Sequence, residues 1–181
     1  MNAARLSVLG LFATMAIAAA QIDPGWTAAG IKNGVTLAFR DDPLLDARQV
    51  RAIAELPHPP DRIIPVVCDF TQQLDPGTRE ARVLSGDVGG RYEIYLRYAP
   101  RYVVVSARDV VIDVRPAANG CAWSEAADRV PPQSGAVRMP LLRGSWTVEP
   151  IDASHSRVTY QIAVDGYRGA SGMVRMSLRM P

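Results

Sequence analysis

The sequence predicts an α+β domain built on a curved antiparallel sheet of about nine strands with few helices, and three observations carry that prediction. From Asn33 onward apolar and polar residues alternate with period two, as in RYEIYLR, where Tyr92, Ile94 and Leu96 share one face and Arg91, Glu93 and Arg97 the other. Turn-forming groups divide the alternating runs: Asp41-Asp42-Pro43, the stretch 86–90, Ala99-Pro100, Asn119-Gly120 and Arg143-Gly144. One stretch, HPPDRIIPVVCDF, abandons alternation for the helix-like spacing of Ile63, Ile64, Val67 and Phe70. With 181 residues, 48% apolar and 21% charged, the chain suits one domain with ample core.

The elements follow in chain order. Arg5 and the apolar run LSVLGLFATMAIAAA, closed by Ala18-Ala19-Ala20 before Gln21, have the layout of a cleavable signal peptide at residues 1–20. The run is shorter than the roughly twenty residues of a membrane span, and an uncleaved anchor is the competing reading. No Cys follows the small residues, which argues against a lipoprotein anchor. The expected location is periplasmic or secreted, with residues 21–165 as the folded domain and 166–181 as a short tail.

Strands are expected at about 33–40 and 46–56. A helix starts near Pro60, because Pro suits a first helical turn. Pro65 removes an interior hydrogen bond, so that helix either kinks there or is regular only in its second half. Further strands cover about 80–86, 91–98, 103–115, 120–127, 135–142, 145–151 and 157–164; in the last, Val158, Tyr160, Ile162 and Val164 share a face. Short connections make the pairing antiparallel. A sheet of this width curls, and its apolar inner face encloses a ligand-sized hollow unless something fills it.

Net charge is +2 with acids and bases interspersed, so a nucleic-acid footprint is absent. Cys68 and Cys121 lie in apolar stretches; an oxidising compartment permits a bridge, but two separately buried thiols are expected.

The strand VVVSARDVVIDV raises a question of polarity. Asp109 and Asp113 share its odd-numbered face, which is therefore expected to face solvent, and Arg108 then points inward with Val110 and Ile112. A buried guanidinium needs an acid, carbonyls, water or a ligand. With positions summing to about 235 opposed across the following hairpin, Val110 faces Glu125 and Ile112 faces Trp123, which predicts an internal Arg108–Glu125 pair. Such a pair either fixes strand register or orients the polar group of a ligand.

In order, the segments PPDRIIPVVCDF, LDPGTREARVL, RYEIYLRYAP, SARDVVIDVR, GAVRMPLLRGSWTVEP and SRVTYQIAV resemble the START lipid-transfer domains of the helix-grip superfamily, over about residues 30 to 165. The Asp-Pro after the helix and the Arg-Asp within the strand, which Arg108 matches, are typical of that family. The resemblance implies a curved sheet gripping a C-terminal helix, with a tunnel for a sterol, phospholipid or other lipid, and binding and transfer without chemistry. This sequence has Leu74 where the family commonly has Trp, carries Pro65 inside the helix, and offers only 166–181 for the C-terminal helix. The Met- and Arg-bearing tail is a candidate for transient membrane contact.

An enzyme would need groups placed for chemistry. His58 and His155 lie in loops without metal-ligand partners at recognisable spacing, and no nucleophile-elbow, Walker or dinucleotide motif occurs. No catalytic residue, metal or cofactor is expected. The reading is a monomeric carrier of a lipid or sterol-like ligand, with Tyr92, Ile94, Leu96, Arg108, Val110, Ile112, Trp123, Glu125, Val137, Met139, Trp146, Tyr160 and Ile162 lining its pocket. The alternatives are an aromatase/cyclase-type enzyme using Arg108, Tyr160, Trp123 and Glu125, or a non-binding envelope protein with an incomplete fold.

Overall fold

The computed structural model describes residues 23–72, 77–100, 106–126 and 129–164. The expected leader at 1–20, the Leu74-Asp75-Pro76 phrase and the tail at 166–181 lie outside them. In chain order the elements are β1 (Thr27–Lys32), β2 (Val35–Asp42), β3 (Ala47–Leu56), α1 (Pro60–Val67), β4 (Thr78–Gly86), β5 (Tyr92–Tyr98), β6 (Arg108–Ala117), β7 (Gly120–Glu125), β8 (Val137–Arg138), β9 (Leu142–Pro150) and β10 (Ser156–Val164).

All ten strands belong to one sheet, ordered β1-β2-β3-β10-β9-β7-β6-β5-β4, with antiparallel neighbours throughout. The remaining strand, β8, pairs in parallel with Arg108 and Asp109 of β6, beyond the point where β7 has left that edge. The sequence predicts about nine strands, and the extra one is β1. It shows no alternation because every residue is exposed, so backbone pairing with β2 alone places it. Asn33 and Gly34, both at positive φ (52° and 78°), make the two-residue turn between them, the backbone that matches strand twist in a tight hairpin. The strand expected at 135–142 is reduced to two residues.

Helix α1 runs from Pro60 across Pro65 to Val67, which corrects the expectation that only its second half is regular. Pro59 is extended, Pro60 takes the first helical position, and Cys68 N–H closes the last turn on Ile64 C=O at 3.0 Å. Pro65 is exposed and forgoes only its own N–H bond, while Ile63 packs on Val148 and Val158 and seats the helix.

The inner face holds the main core. Tyr92, Ile94 and Leu96 of β5 lie opposite Val114, Ile112 and Val110 of β6, and these join Phe70, Cys121, Trp123 and Leu142 in one buried cluster. Cys68 and Cys121 form a disulfide with Cα atoms 5.9 Å apart, which corrects the expectation of separate thiols. The helix brings its C-terminal cap directly over Cys121, the second residue of β7, a proximity that the separation of 53 residues conceals.

The opposite face of β6 is also covered, contrary to the solvent-facing reading: Asp109 is 0% exposed and Asp113 4%. The connection between β7 and β8 crosses that face and returns as β8, so Asp109 receives Arg138, the Gln133 N–H and the Tyr95 hydroxyl. Arg91 and Arg115 hold Asp113. The buried charges of this strand are therefore Asp109 and Asp113, not Arg108.

Candidate functional site

Inner-face alternation places large side chains side by side on β7, β9 and β10. Trp123 opposes Gly144, Trp146 opposes both Cys121 and Tyr160, and Ile162 opposes Gly144. Gly144 is required here: a Cβ on it would collide with the Gln161 carbonyl and come within 2.5 Å of the Trp123 ring. The Trp123 indole occupies the space that the missing side chain leaves. Aromatic contacts continue along this wall, with Phe70 edge-on to Trp123 at 4.9 Å, Trp123 stacked on Tyr160 at 5.8 Å and Tyr160 against Trp146 at 4.4 Å.

Beside these rings is an open cavity of about 430 Å³, lined by Phe70, Gln72, Thr78, Leu96, Tyr98, Trp123, Leu142, Trp146, Tyr160 and Ile162. That volume lies in the range of small-molecule sites. Phe70 and Gln72 reach it from the segment after α1. The disulfide fixes the start of that segment, and the Tyr92 hydroxyl fixes it again by donating to Cys68 C=O at 2.6 Å and accepting the Phe70 N–H at 3.0 Å. Burial pushes the Tyr92 phenol above its ordinary pKa, so it stays neutral and keeps both bonds. Asp69 completes the turn by accepting from the backbone and hydroxyl of Thr71 and the amide of Gln72.

Of the residues named from sequence, Leu96, Trp123, Trp146, Tyr160 and Ile162 line the cavity. Tyr92, Ile94, Val110 and Ile112 sit in the filled core beside it, each at most 2% exposed, and Met139 packs on that core. Val137 is 46% exposed. Arg108 is half-buried at the start of β6 and does not line the cavity. The predicted Arg108–Glu125 pair does not form. The hairpin turns through Ala118-Asn119, so Glu125 faces Ile112 and Trp123 faces Val114, two positions along β6 from the predicted register. Glu125 is bound instead by Arg143 of β9. Burial works against its charge, yet the Arg143 guanidinium prevails and holds the carboxyl below its ordinary range.

Sequence reasoning missed Phe70, Gln72, Thr78, Tyr98 and Leu142. Tyr98 and Leu142 were within reach, since they continue the inward parity of β5 and β9; Phe70 and Gln72 sit in an irregular segment that has no periodicity to read. A second cavity of about 270 Å³ adjoins the first, sharing Trp123 and Ile162 and adding Gln49, Arg143, Ser145 and Gln161. Among the described residues no group of three or more His, Cys, Asp or Glu is placed to hold a metal ion.

No protein-family model matches this sequence, and no curated protein matches it. Solved structures do. A STAR-related lipid transfer protein from Xanthomonas axonopodis superposes with a TM-score of 0.67 at 25% identity, covering 83% of this chain and 90% of that one. Human StAR-related lipid transfer protein 5 gives 0.68 at 15% identity over 80% and 74% of the two chains, and human STARD10 gives 0.67 at 13% over 88% and 72%. A Streptomyces aromatase/cyclase reaches only 0.48 over 65% of this chain.

Proposed function

We propose that this chain, whose fold is the helix-grip fold of the START domains, is a carrier that binds a lipid or similar hydrophobic molecule against the aromatic wall of its concave face. The observation that carries the reading is an open cavity, walled mostly by aromatic and aliphatic side chains with Gln72 and Thr78 among them, in a sheet whose neighbouring core is otherwise filled. Catalysis of the cyclase type is disfavoured by the fate of its expected polar groups. Glu125 is neutralised by Arg143, and Arg108 lies off the cavity.

The reading extends to location. A disulfide between Cys68 and Cys121 suits an oxidising compartment, in keeping with a periplasmic or secreted protein. Delivery to or from a membrane would bring the cavity's open end against lipid. Leu44, 94% exposed, sits in the β2–β3 turn next to the strand ends that carry Leu142 and Ile162 and supports such contact.

The test is organic extraction of the purified protein followed by mass spectrometry, with vesicle-to-vesicle transfer of the recovered compound. A stoichiometric hydrophobic molecule is expected. Protein that extracts empty and takes up nothing from mixed-lipid vesicles would overturn the carrier reading.

A further inference from the structure

The first cavity differs from one side of the sheet to the other. Thr78 of β4 and Tyr98 of β5 are direct register partners, and both line it, joined by Gln72 from the segment after α1. Asp69 turns the Gln72 amide by taking its Nε2 at 2.8 Å, so the amide carbonyl, an acceptor, is the end directed away from that acid. The Thr78 and Tyr98 hydroxyls can each donate or accept. A hydroxyl on a guest does both as well, and suits this set better than a group that only accepts.

At the other side the cavity is walled by rings: Tyr160 of β10 stacks on Trp123 of β7 and contacts Trp146 of β9. Strand order sets the distance between the two sides. β5 and β10 are four strand spacings apart, roughly 19 Å on a flat sheet and less on a curled one, with β7 midway. A guest that touches both therefore lies across the strands. Volume limits its bulk. A water-sized group takes about 30 Å³ of a liquid, so about 430 Å³ holds on the order of fourteen non-hydrogen atoms. That is one alkyl chain with a small head, whereas a two-chain lipid has several times as many atoms.

We infer that the cavity holds a single-chain amphipath with a hydroxyl head, its head at Gln72, Thr78 and Tyr98 and its chain along the rings of Trp123, Tyr160 and Trp146. This rests on the carrier reading and narrows it. Thr78 and Tyr98 become the residues that separate an alcohol from a bare hydrocarbon, and the ring wall takes the end of the chain.

Three ligands test the inference on the delipidated chain, each titrated against a bound hydrophobic dye: tetradecanol, tetradecane, and dimyristoylglycerol, which carries a hydroxyl head on two chains. Thr78→Val and Tyr98→Phe should each weaken tetradecanol about three- to tenfold, the worth of one hydrogen bond, and leave tetradecane unchanged. Unchanged circular dichroism is the folding control. Orientation is read in the parent protein, without a variant, from tryptophan quenching by brominated tetradecanol. Bromine on the terminal carbon should quench strongly and bromine on the carbon beside the alcohol's weakly. Trp26, stacked with Arg40 and Arg51, does not line the cavity and supplies a constant background. Variants that weaken both single-chain ligands alike, or neither, would overturn the polar end. Equal or reversed quenching would overturn the orientation, and dimyristoylglycerol binding as tightly as tetradecanol would overturn the one-chain limit. If none of the three binds the folded parent protein, the carrier reading itself fails, a result distinct from the others.

Discussion

Asp109 and Arg138 meet in a two-point contact, Oδ1 to Nε at 2.8 Å and Oδ2 to Nη2 at 3.2 Å, with the acid wholly shielded from solvent. Arg138 also donates to the Val130 and Pro131 carbonyls, and Asp109 also accepts the Gln133 N–H, so this pair ties the β7–β8 connection down onto β6. It is the buried ion pair that the Arg-Asp pattern of the sequence led one to seek on the other face.

Breaking that pair from one side should be costly. Arg138→Ala leaves the Asp109 carboxylate buried without a counter-ion and should lower unfolding free energy by about 3–5 kcal/mol. The double replacement Asp109→Leu with Arg138→Met removes both charges and should lose much less. Urea denaturation of the three proteins decides it, and equal losses in single and double variants would mean that the contact matters through packing alone.

The same pair predicts acid sensitivity. Burial pushes the Asp109 carboxyl upward, but Arg138, the Gln133 N–H and Tyr95 outweigh it and hold the folded pKa below the ordinary 3.8. Asp113 is likewise lowered, chiefly by Arg91. A folded pKa below the unfolded one gives stability that is fully present above the unfolded value and is lost as pH falls through the folded one. Stability should therefore be flat with respect to these groups at neutral pH and decline below about pH 4. In Asp109→Asn the decline should be shallower, read as the slope of urea midpoint against pH.

The Cys68–Cys121 bridge closes a loop spanning 53 residues, so reducing it should cost about 4 kcal/mol by loop entropy, within a usual range of 2–5. The urea midpoint with and without reductant measures this, and Cys68→Ser with Cys121→Ser should match the reduced protein. Because the bridge anchors the segment that delivers Phe70, ligand off-rate should rise in the same variant. An unchanged off-rate would show that Tyr92 alone positions Phe70.

Gly144→Ala should disturb the cavity directly. The added methyl must displace either the Trp123 indole or the β9–β10 backbone, at a cost of about 1–3 kcal/mol. Displacing the indole would expose it, and the tryptophan emission should move to the red as hydrophobic probe affinity falls. An unshifted spectrum with intact affinity would mean the strand yields instead of the ring.

Arg108→Leu, by contrast, should leave binding of polar and apolar ligands as in the parent protein, since Arg108 does not line the cavity. Titration of both ligand types checks this. Selective loss of the polar one would return Arg108 to the site.

Much of the fold was legible because strand parity is local. Tyr92, Ile94 and Leu96 face one way for a reason contained in β5 itself, and so do Trp146 and Val148 in β9 and Tyr160 and Ile162 in β10. The helix start at Pro60 and the change of period at 60–70 are equally local. Strand β1 was missed because its exposed residues impose no pattern, and the irregular segment carrying Phe70 and Gln72 has no period to follow.

By itself, then, the sequence determined which side chains share a face, since the pleat repeats every two residues whatever the partner strand. Tertiary structure decided what each face meets. A turn at Ala118-Asn119 moved Glu125 to Arg143, a crossing connection buried Asp109, and the seating of α1 joined Cys68 to Cys121. Those outcomes depend on where distant segments come to rest, and a period of two carries no information about that.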